Sequence, residues 1–402
     1  VRVGIDYRSA LINREGIGRY TRELVRGFVD LRFDANLGLF AYTLAPSKFT
    51  RAELGLAGSK AELVRLRFPS RWMPGLLARL KKGVDDLVGG CEVYHHTQPH
   101  LLDVRKAKEV VTIFDCIYVL DARSSARGRD AHSDGDPRDL GRAGYLSPES
   151  AERMTAVAKE MVARAARILV PSEFVGADCV LSLGAHPDRV TVTHLGCDHI
   201  VRDLPPGGFP RPSQRYLLTV SRVDARKNHL RMLEAFEMLV KEGFPHRWIV
   251  AGPPGHGAEV FERALERSPA RDRVEWRRFV ADGELPKLYA QADVFLFASL
   301  NEGFGLPPLE AMACGTAVVS SCVTSMPEVL GDAAFLVEPT DSERIFEATR
   351  RLLAEPDLAE DFALRGKARA REFTWKECAR RTLLAYQAAL KPESEPALRR
   401  SL

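Results

Sequence analysis

Apolar runs too continuous to be exposed on either side recur along the chain. They include Val1–Tyr7 (VRVGIDY), Leu37–Leu44, Val110–Phe114 (VVTIF), Arg167–Pro171 (RILVP), Tyr216–Ser221 (YLLTVS), Trp248–Ala251 (WIVA) and Ala292–Ala298 (ADVFLFA). Such runs read as strands buried on both faces of a parallel sheet. Glu62–Phe68, Glu92–His96, Val190–Leu195, Val274–Val280, Val318–Ser321 and Phe335–Val337 extend the set. Between them the apolar period changes to that of a helix. Tyr20, Leu24 and Phe28 share one side of a helix predicted from Gly18 to Asp30, and similar spacing marks Ser70–Leu87, Pro148–Arg164, Asn228–Glu242, Leu285–Gln291, Ser342–Leu353 and Pro356–Glu372. Strand alternating with helix predicts an α/β protein with parallel sheets.

At 402 residues the chain is too long for one ordinary domain. Asp203 to Ser213 (DLPPGGFPRPS) carries four prolines and two glycines in eleven positions, which breaks helix and strand alike. The boundary is therefore placed there, giving domains 1–202 and 203–375. Residues 376–392 are expected to return to the first domain, and 393–402 to be a flexible tail.

Fifty-eight basic against fifty-four acidic side chains leave a net charge of +4, which argues against nucleic acid as the partner. The seven cysteines are scattered, fitting a reducing cytoplasm, and there is no charged-then-apolar leader and no run of about 18 apolar residues. Residues 70–87 mix basic and apolar side chains (Arg71, Trp72, Leu76, Leu80, Lys81, Lys82), so the expected location is cytoplasmic, with this segment able to lie peripherally on the inner face of a membrane.

The densest chemistry lies at Ala298–Val319 (ASLNEGFGLPPLEAMACGTAVV). Gly303 and Gly305 allow close approach of a ligand, and Pro307-Pro308 suits the start of a helix expected over Leu309–Ala313. A glycine-rich loop entering a helix start is an anion site, with Phe304, Gly305 and Leu306 supplying amides. Glu302 and Glu310 flank that loop and are suited to accept hydrogen bonds from sugar hydroxyls. Each alone also reads as an ordinary loop or helix-start charge. Upstream, Arg222 and Lys227 in SRVDARKNH can offset a diphosphate. In the first half, Gly16 and Gly18 precede a helix after the first strand, the opening of a doubly wound nucleotide-binding fold. Either a phosphate loop or a simple helix entry would explain them.

This constellation resembles the Glu-x7-Glu signature of the retaining family 4 glycosyltransferases, whose GT-B fold has two facing Rossmann-like domains with parallel sheets and an interdomain cleft. The resemblance implies that Glu302 holds a donor-sugar hydroxyl, that Glu310 holds the ribose, and that Arg222 and Lys227 grip the diphosphate. It further implies that Gly16 and Gly18, in GIGRY, close over the diphosphate and the acceptor. The base would lie between the Gly252 turn and Phe279-Val280. Gly196-Cys197-Asp198 and Phe373-Thr374-Trp375 resemble the family's interdomain crossings, and His95 its strand-end histidine. Phe114 departs from the His-Asp common in similar members, leaving Asp115 as the polar group nearest the reacting centre. The expected co-substrate is a nucleotide diphosphate sugar, first GDP-mannose, with a saccharide or lipid-linked acceptor and no cofactor or metal. A sugar-nucleotide binder without transfer, or a glycoside hydrolase using Glu302 and Glu310, are the alternatives. Arg123–Gly144, almost free of apolar residues, reads as a mobile loop or an acceptor cover.

Overall fold

The computed structural model describes residues 1–126, 146–202 and 204–391. Most of the Arg123–Gly144 segment therefore lies outside the described residues, as does the tail. Two parallel sheets form the architecture. The first orders its strands β3-β2-β1-β4-β5-β6-β7, from β1 (Val3–Asp6), β2 (Leu37–Tyr42), β3 (Glu62–Leu66), β4 (Val93–His96), β5 (Lys108–Thr112), β6 (Arg167–Val170) and β7 (Val190–Val192). The second orders its strands β10-β9-β8-β11-β12-β13, from β8 (Tyr216–Val220), β9 (Arg247–Ala251), β10 (Val274–Arg277), β11 (Val294–Phe297), β12 (Ala317–Ser321) and β13 (Phe335–Val337). This is the GT-B arrangement of two doubly wound domains, and in each sheet the strand order reverses at one point, between β1 and β4 and between β8 and β11.

Burial explains why the apolar runs are continuous: every residue of β1, β2, β4, β11 and β12 is buried. The two halves are joined by crossings that pack on each other. Cys197 N–H donates to Phe373 O at 3.0 Å, and Trp375 N–H to Asp198 Oδ1 at 2.8 Å. After the second crossing, the helix Trp375–Leu390 lies against the Gly16–Asp30 helix and the first sheet. That contact is close enough that a Cβ at Gly27 would come 2.7 Å from Trp375 O and 2.8 Å from Ala379 Cβ.

Four expectations need correction. The Gly16–Asp30 helix begins at Gly16, so Gly16 and Gly18 occupy its first turn and not a loop before it. Ser70–Leu87 is broken: the helix Met73–Leu80 ends at Lys81, whose φ of +53° is left-handed, and a second short helix spans Val84–Leu87. β5 ends at Thr112, two residues before Phe114. His95 does not reach the cleft; its ring is buried, hydrogen-bonded with Tyr386 Oη and Thr112 Oγ1, both at 2.7 Å, and burial lowers its pKa to about 3.

Gly27→Leu should lower the unfolding free energy by about 2 kcal/mol or more, because the two helices have no room for a side chain there. Urea denaturation checks this, and an unchanged midpoint would show that the helices do not approach so closely.

Candidate active site

β11 delivers the loop 298–305 to the point where the strand order of the second sheet reverses, and the helix Leu306–Cys314 leaves it. Gly305 caps that helix with φ +88°, a conformation glycine takes without cost. Pro307 and Pro308 fill the first turn, where no N–H is needed. The amides of Phe304, Gly305 and Leu306 find no acceptor among the described residues, leaving an open set of donors at the helix start. The Phe304 ring itself is core, packed on Phe373 and His194.

Gly303 has a different use from the one expected. A Cβ there would lie 1.9 Å from Phe114 O, and Ser172 Oγ donates to Gly303 O at 2.7 Å. The first domain, not a ligand, makes the close approach to this glycine. Phe114 packs edge-on to Tyr20 at 5.0 Å. Asp115 follows it; one oxygen accepts from Ile117 N–H at 3.4 Å, and the carboxyl feels Arg226, Glu302 and Lys227 across the cleft. Burial raises its pKa, Arg226 opposing.

Glu302 is 7% exposed and pairs with Lys227 Nζ and with Arg226 Nη1, the latter at 3.2 Å. Burial alone would raise its pKa, but Lys227 and Arg226 outweigh burial and hold it below the usual carboxylate value. Lys227 is in turn lowered by burial and by Arg226, against the pull of Glu302. Asp224 Oδ1 and O both receive the Lys227 N–H, fixing the turn that carries both cations.

Glu310, 2% exposed, is held from three directions. Arg19 Nη1 donates at 2.7 Å from the first domain, Tyr289 Oη at 2.7 Å from the second, and His199 Nε2 lies at 2.9 Å from the first crossing. Trp375 Nε1 donates to His199 Nδ1 at 3.0 Å, so the neutral imidazole presents an Nε2–H to Glu310. Against burial, Arg19 and these hydrogen bonds lower the Glu310 pKa to about 2. Arg19 also reaches Asp282 at 3.0 Å.

Arg222 has a different partner from Lys227: its guanidinium crosses to Glu15 Oε2 of the first domain at 2.5 Å, both half-exposed. Gly252, with φ +151°, would place a Cβ 2.0 Å from Ser221 O, so its loop packs directly under the Arg222 turn. Val280 is half-buried and Phe279 is 70% exposed beside it. Gly16 has open space around it, whereas a Cβ at Gly18 would lie 2.0 Å from Asn13 O. The structure thus brings Asp115, Lys227 and Glu302 together beside the loop amides, puts Glu310 at the domain junction, and pairs Arg222 with Glu15 of the first domain. Sequence reading passed over Arg19, although it sits inside GIGRY, and Arg226, which directly precedes Lys227; His199 and Tyr289 carried no signal of their own. Among the described residues no group of three or more His, Cys, Asp or Glu side chains is arranged to hold a metal, and no helix is long and apolar enough to cross a membrane.

A Glu310→Gln substitution tests the strongest of these interactions. The folded-state pKa lies below the unfolded value, so the stabilisation is complete above about pH 5 and is lost as pH falls toward 2, amounting to on the order of 3 kcal/mol. Urea unfolding at several pH values should show the gap between native chain and variant closing over that interval; a gap independent of pH would refute the pairing.

Comparison with known proteins bears on the second half of the chain and on the fold. Residues 205–369 match the family "Glycosyl transferases group 1". The O-antigen chain mannosyltransferase B of Escherichia coli is 35% identical over 228 residues, an alignment covering 55% of this chain and 60% of that protein's length. Among solved structures, sucrose-phosphate synthase of Thermosynechococcus elongatus superposes with a TM-score of 0.69 at 17% identity, covering 96% of this chain and 98% of that one. Anabaena HepE, solved with UDP and glucose, gives 0.66 at 15% identity, covering 96% and 98%. Residues 205–369 are thus similar to the group 1 glycosyltransferases, and the two-sheet fold extends over the whole described chain.

Proposed function

We propose that the chain transfers a hexose from a nucleotide diphosphate sugar, GDP-mannose first among candidates, to a saccharide or lipid-linked saccharide in surface polysaccharide synthesis. The observation that carries this reading is the buried Glu302 with Lys227 and Arg226, set beside the unpaired amides of Phe304 to Leu306. A diphosphate needs such cations and amides, and a sugar hydroxyl needs such a carboxylate. The mannosyltransferase similarity supports the sugar.

The step breaks the bond between the anomeric carbon and the diphosphate oxygen, which leaves with the electron pair. Arg222, Lys227 and the loop amides take up the charge. The acceptor oxygen attacks from the same face, and its proton passes to a donor phosphate oxygen, so configuration is retained without a protein base. Phe114 is compatible with that route, since no imidazole is required at the strand end. Closure of the cleft excludes water that would hydrolyse the donor.

In a panel of nucleoside diphosphates, GDP should raise the melting temperature most, and GDP-mannose should be consumed in the presence of mannosylated acceptor but not by EDTA-sensitive chemistry. Activity abolished by EDTA and restored by magnesium would contradict the metal-free mechanism. Binding of nucleotide with neither transfer nor slow donor hydrolysis would identify a binder. Cleavage of an aryl glycoside without nucleotide would identify a hydrolase.

The membrane reading rests on the helix Met73–Leu80, which buries Met73 and Leu77 but exposes Trp72 (56%) and Leu80 (50%) among Arg71, Arg79, Lys81 and Lys82. Exposed apolar groups ringed by cations suit an anionic lipid surface. Vesicles containing phosphatidylglycerol should bind the chain, pure phosphatidylcholine should not, and Trp72→Ser with Leu80→Ser should weaken binding by about tenfold. Equal sedimentation with both lipids would remove the reading.

A further inference from the structure

The first sheet has its own reversal point, between β1 and β4, and the polar side chains gathered there serve none of the contacts described above. In open α/β sheets that crevice is where ligands sit. Asp6 ends β1, 1% exposed; its Oδ2 accepts from Gln98 Nε2 at 2.6 Å and its Oδ1 from Arg8 N–H at 3.1 Å. Thr97 Oγ1 donates to Asp6 O at 2.6 Å, tying the β4 end to the β1 end. Over this frame lies Arg8, its guanidinium carbon 4.7 Å from the Tyr42 ring centre. Among the described residues it has no carboxylate within ion-pair distance, whereas Arg19, Arg222 and Arg226 each have one. The His100 ring centre lies 5.9 Å from that of Tyr42.

A second observation is independent of Arg8. The Tyr42 hydroxyl is buried without a hydrogen-bond partner among the described residues, and so is that of Tyr94 on β4. Burial pushes both phenols up, so each remains a neutral donor, and both feel the charges of Asp6 and Arg8. Burial and Arg8 lower the His100 pKa, which keeps its ring neutral near pH 7. Both Asp6 oxygens are already engaged. What the cluster lacks is an acceptor-only, negatively charged group, which would complete the Arg8 guanidinium fork and the Tyr42 phenol donor together.

We propose that Arg8, Tyr42 and His100 form a subsite at the β1–β4 crevice for an anionic group, phosphate or carboxylate, carried by the acceptor. That the ligand is an acceptor rests on the glycosyltransferase reading; that the crevice takes an anion does not. β1 lies two strands from β5, so the subsite sits about 10 Å along the same sheet edge from the end of β5, the strand that leads to Asp115. An acceptor whose reacting hydroxyl meets the donor would therefore present a neighbouring charged substituent here.

The test is calorimetric titration of the chain with its donor site first filled by GDP, or by whichever nucleoside diphosphate the panel selects. The probes are mannose 1-phosphate, methyl glucuronoside and neutral methyl α-mannoside. At least one anionic probe should bind about tenfold more tightly than the neutral one, the pair distinguishing a phosphate from a carboxylate. Arg8→Gln should abolish that preference, Arg8→Lys should keep part of it, and Tyr42→Phe should reduce it without affecting nucleotide binding. Equal affinity for charged and neutral probes, no binding of either anionic probe, or a preference that survives Arg8→Gln and Tyr42→Phe would overturn the proposal. Failure of the functional reading looks different: no nucleoside diphosphate shifts the melting temperature, and the anion preference is then measured without one.

Discussion

Two carboxylates buried where the sheets face each other, Glu302 and Glu310, set the terms for the rest of the molecule. A buried carboxylate stays ionised only if cations and hydrogen-bond donors replace the water it loses. Each is answered differently. Glu302 takes Lys227 and Arg226 from a turn of its own domain, whereas Glu310 takes Arg19 from the other domain and His199 from the crossing. One arrangement prepares a site within a domain, and the other ties the domains together. Because removing one partner of such a pair leaves a charge stranded in low dielectric, both groups are expensive to disturb.

That difference gives the cleft its logic. The cations of the Asp224–Asn228 turn and the amides of the Phe304–Leu306 loop are held ready by carboxylates and helix geometry, so little reorganisation is required when charge arrives. The Arg222–Glu15 pair is half-exposed and therefore cheap to break. Arg19, Arg14 and Glu15, all within or just before the first turn of the Gly16–Asp30 helix, bring the first domain's charges to Asp282, Glu310 and Arg222 of the second.

Much of this was readable in the sequence, and the failures share a cause. A continuous apolar run located β11 because a strand covered on both faces has few polar positions. The Gly-Pro pattern of 303–308 located the helix start because glycine at φ +88° and proline in the first turn are local requirements. Partner choice is not local. Gly18 reads as a phosphate-loop glycine but is excluded from bearing a side chain by Asn13 and Ser9, and Gly303 by Phe114 from the other domain. His95 resembles the family's strand-end histidine but faces Tyr386, which arrives from the far end of the chain. Arg226 and Arg19 were adjacent to residues singled out, yet nothing in their spacing says which carboxylate they meet. The break at Lys81 was hidden because a left-handed lysine leaves the apolar period intact on either side.

The central claim is that the cations now paired with protein carboxylates are the ones a diphosphate would recruit. A crystal structure with a bound nucleoside diphosphate tests it most directly. The account predicts phosphate oxygens within hydrogen-bond distance of Lys227, Arg222 and the amides of Gly305 and Leu306, with the Arg222–Glu15 pair broken and Glu302 free to meet a sugar hydroxyl. A diphosphate bound elsewhere, with Arg222–Glu15 and Lys227–Glu302 unchanged, would contradict it.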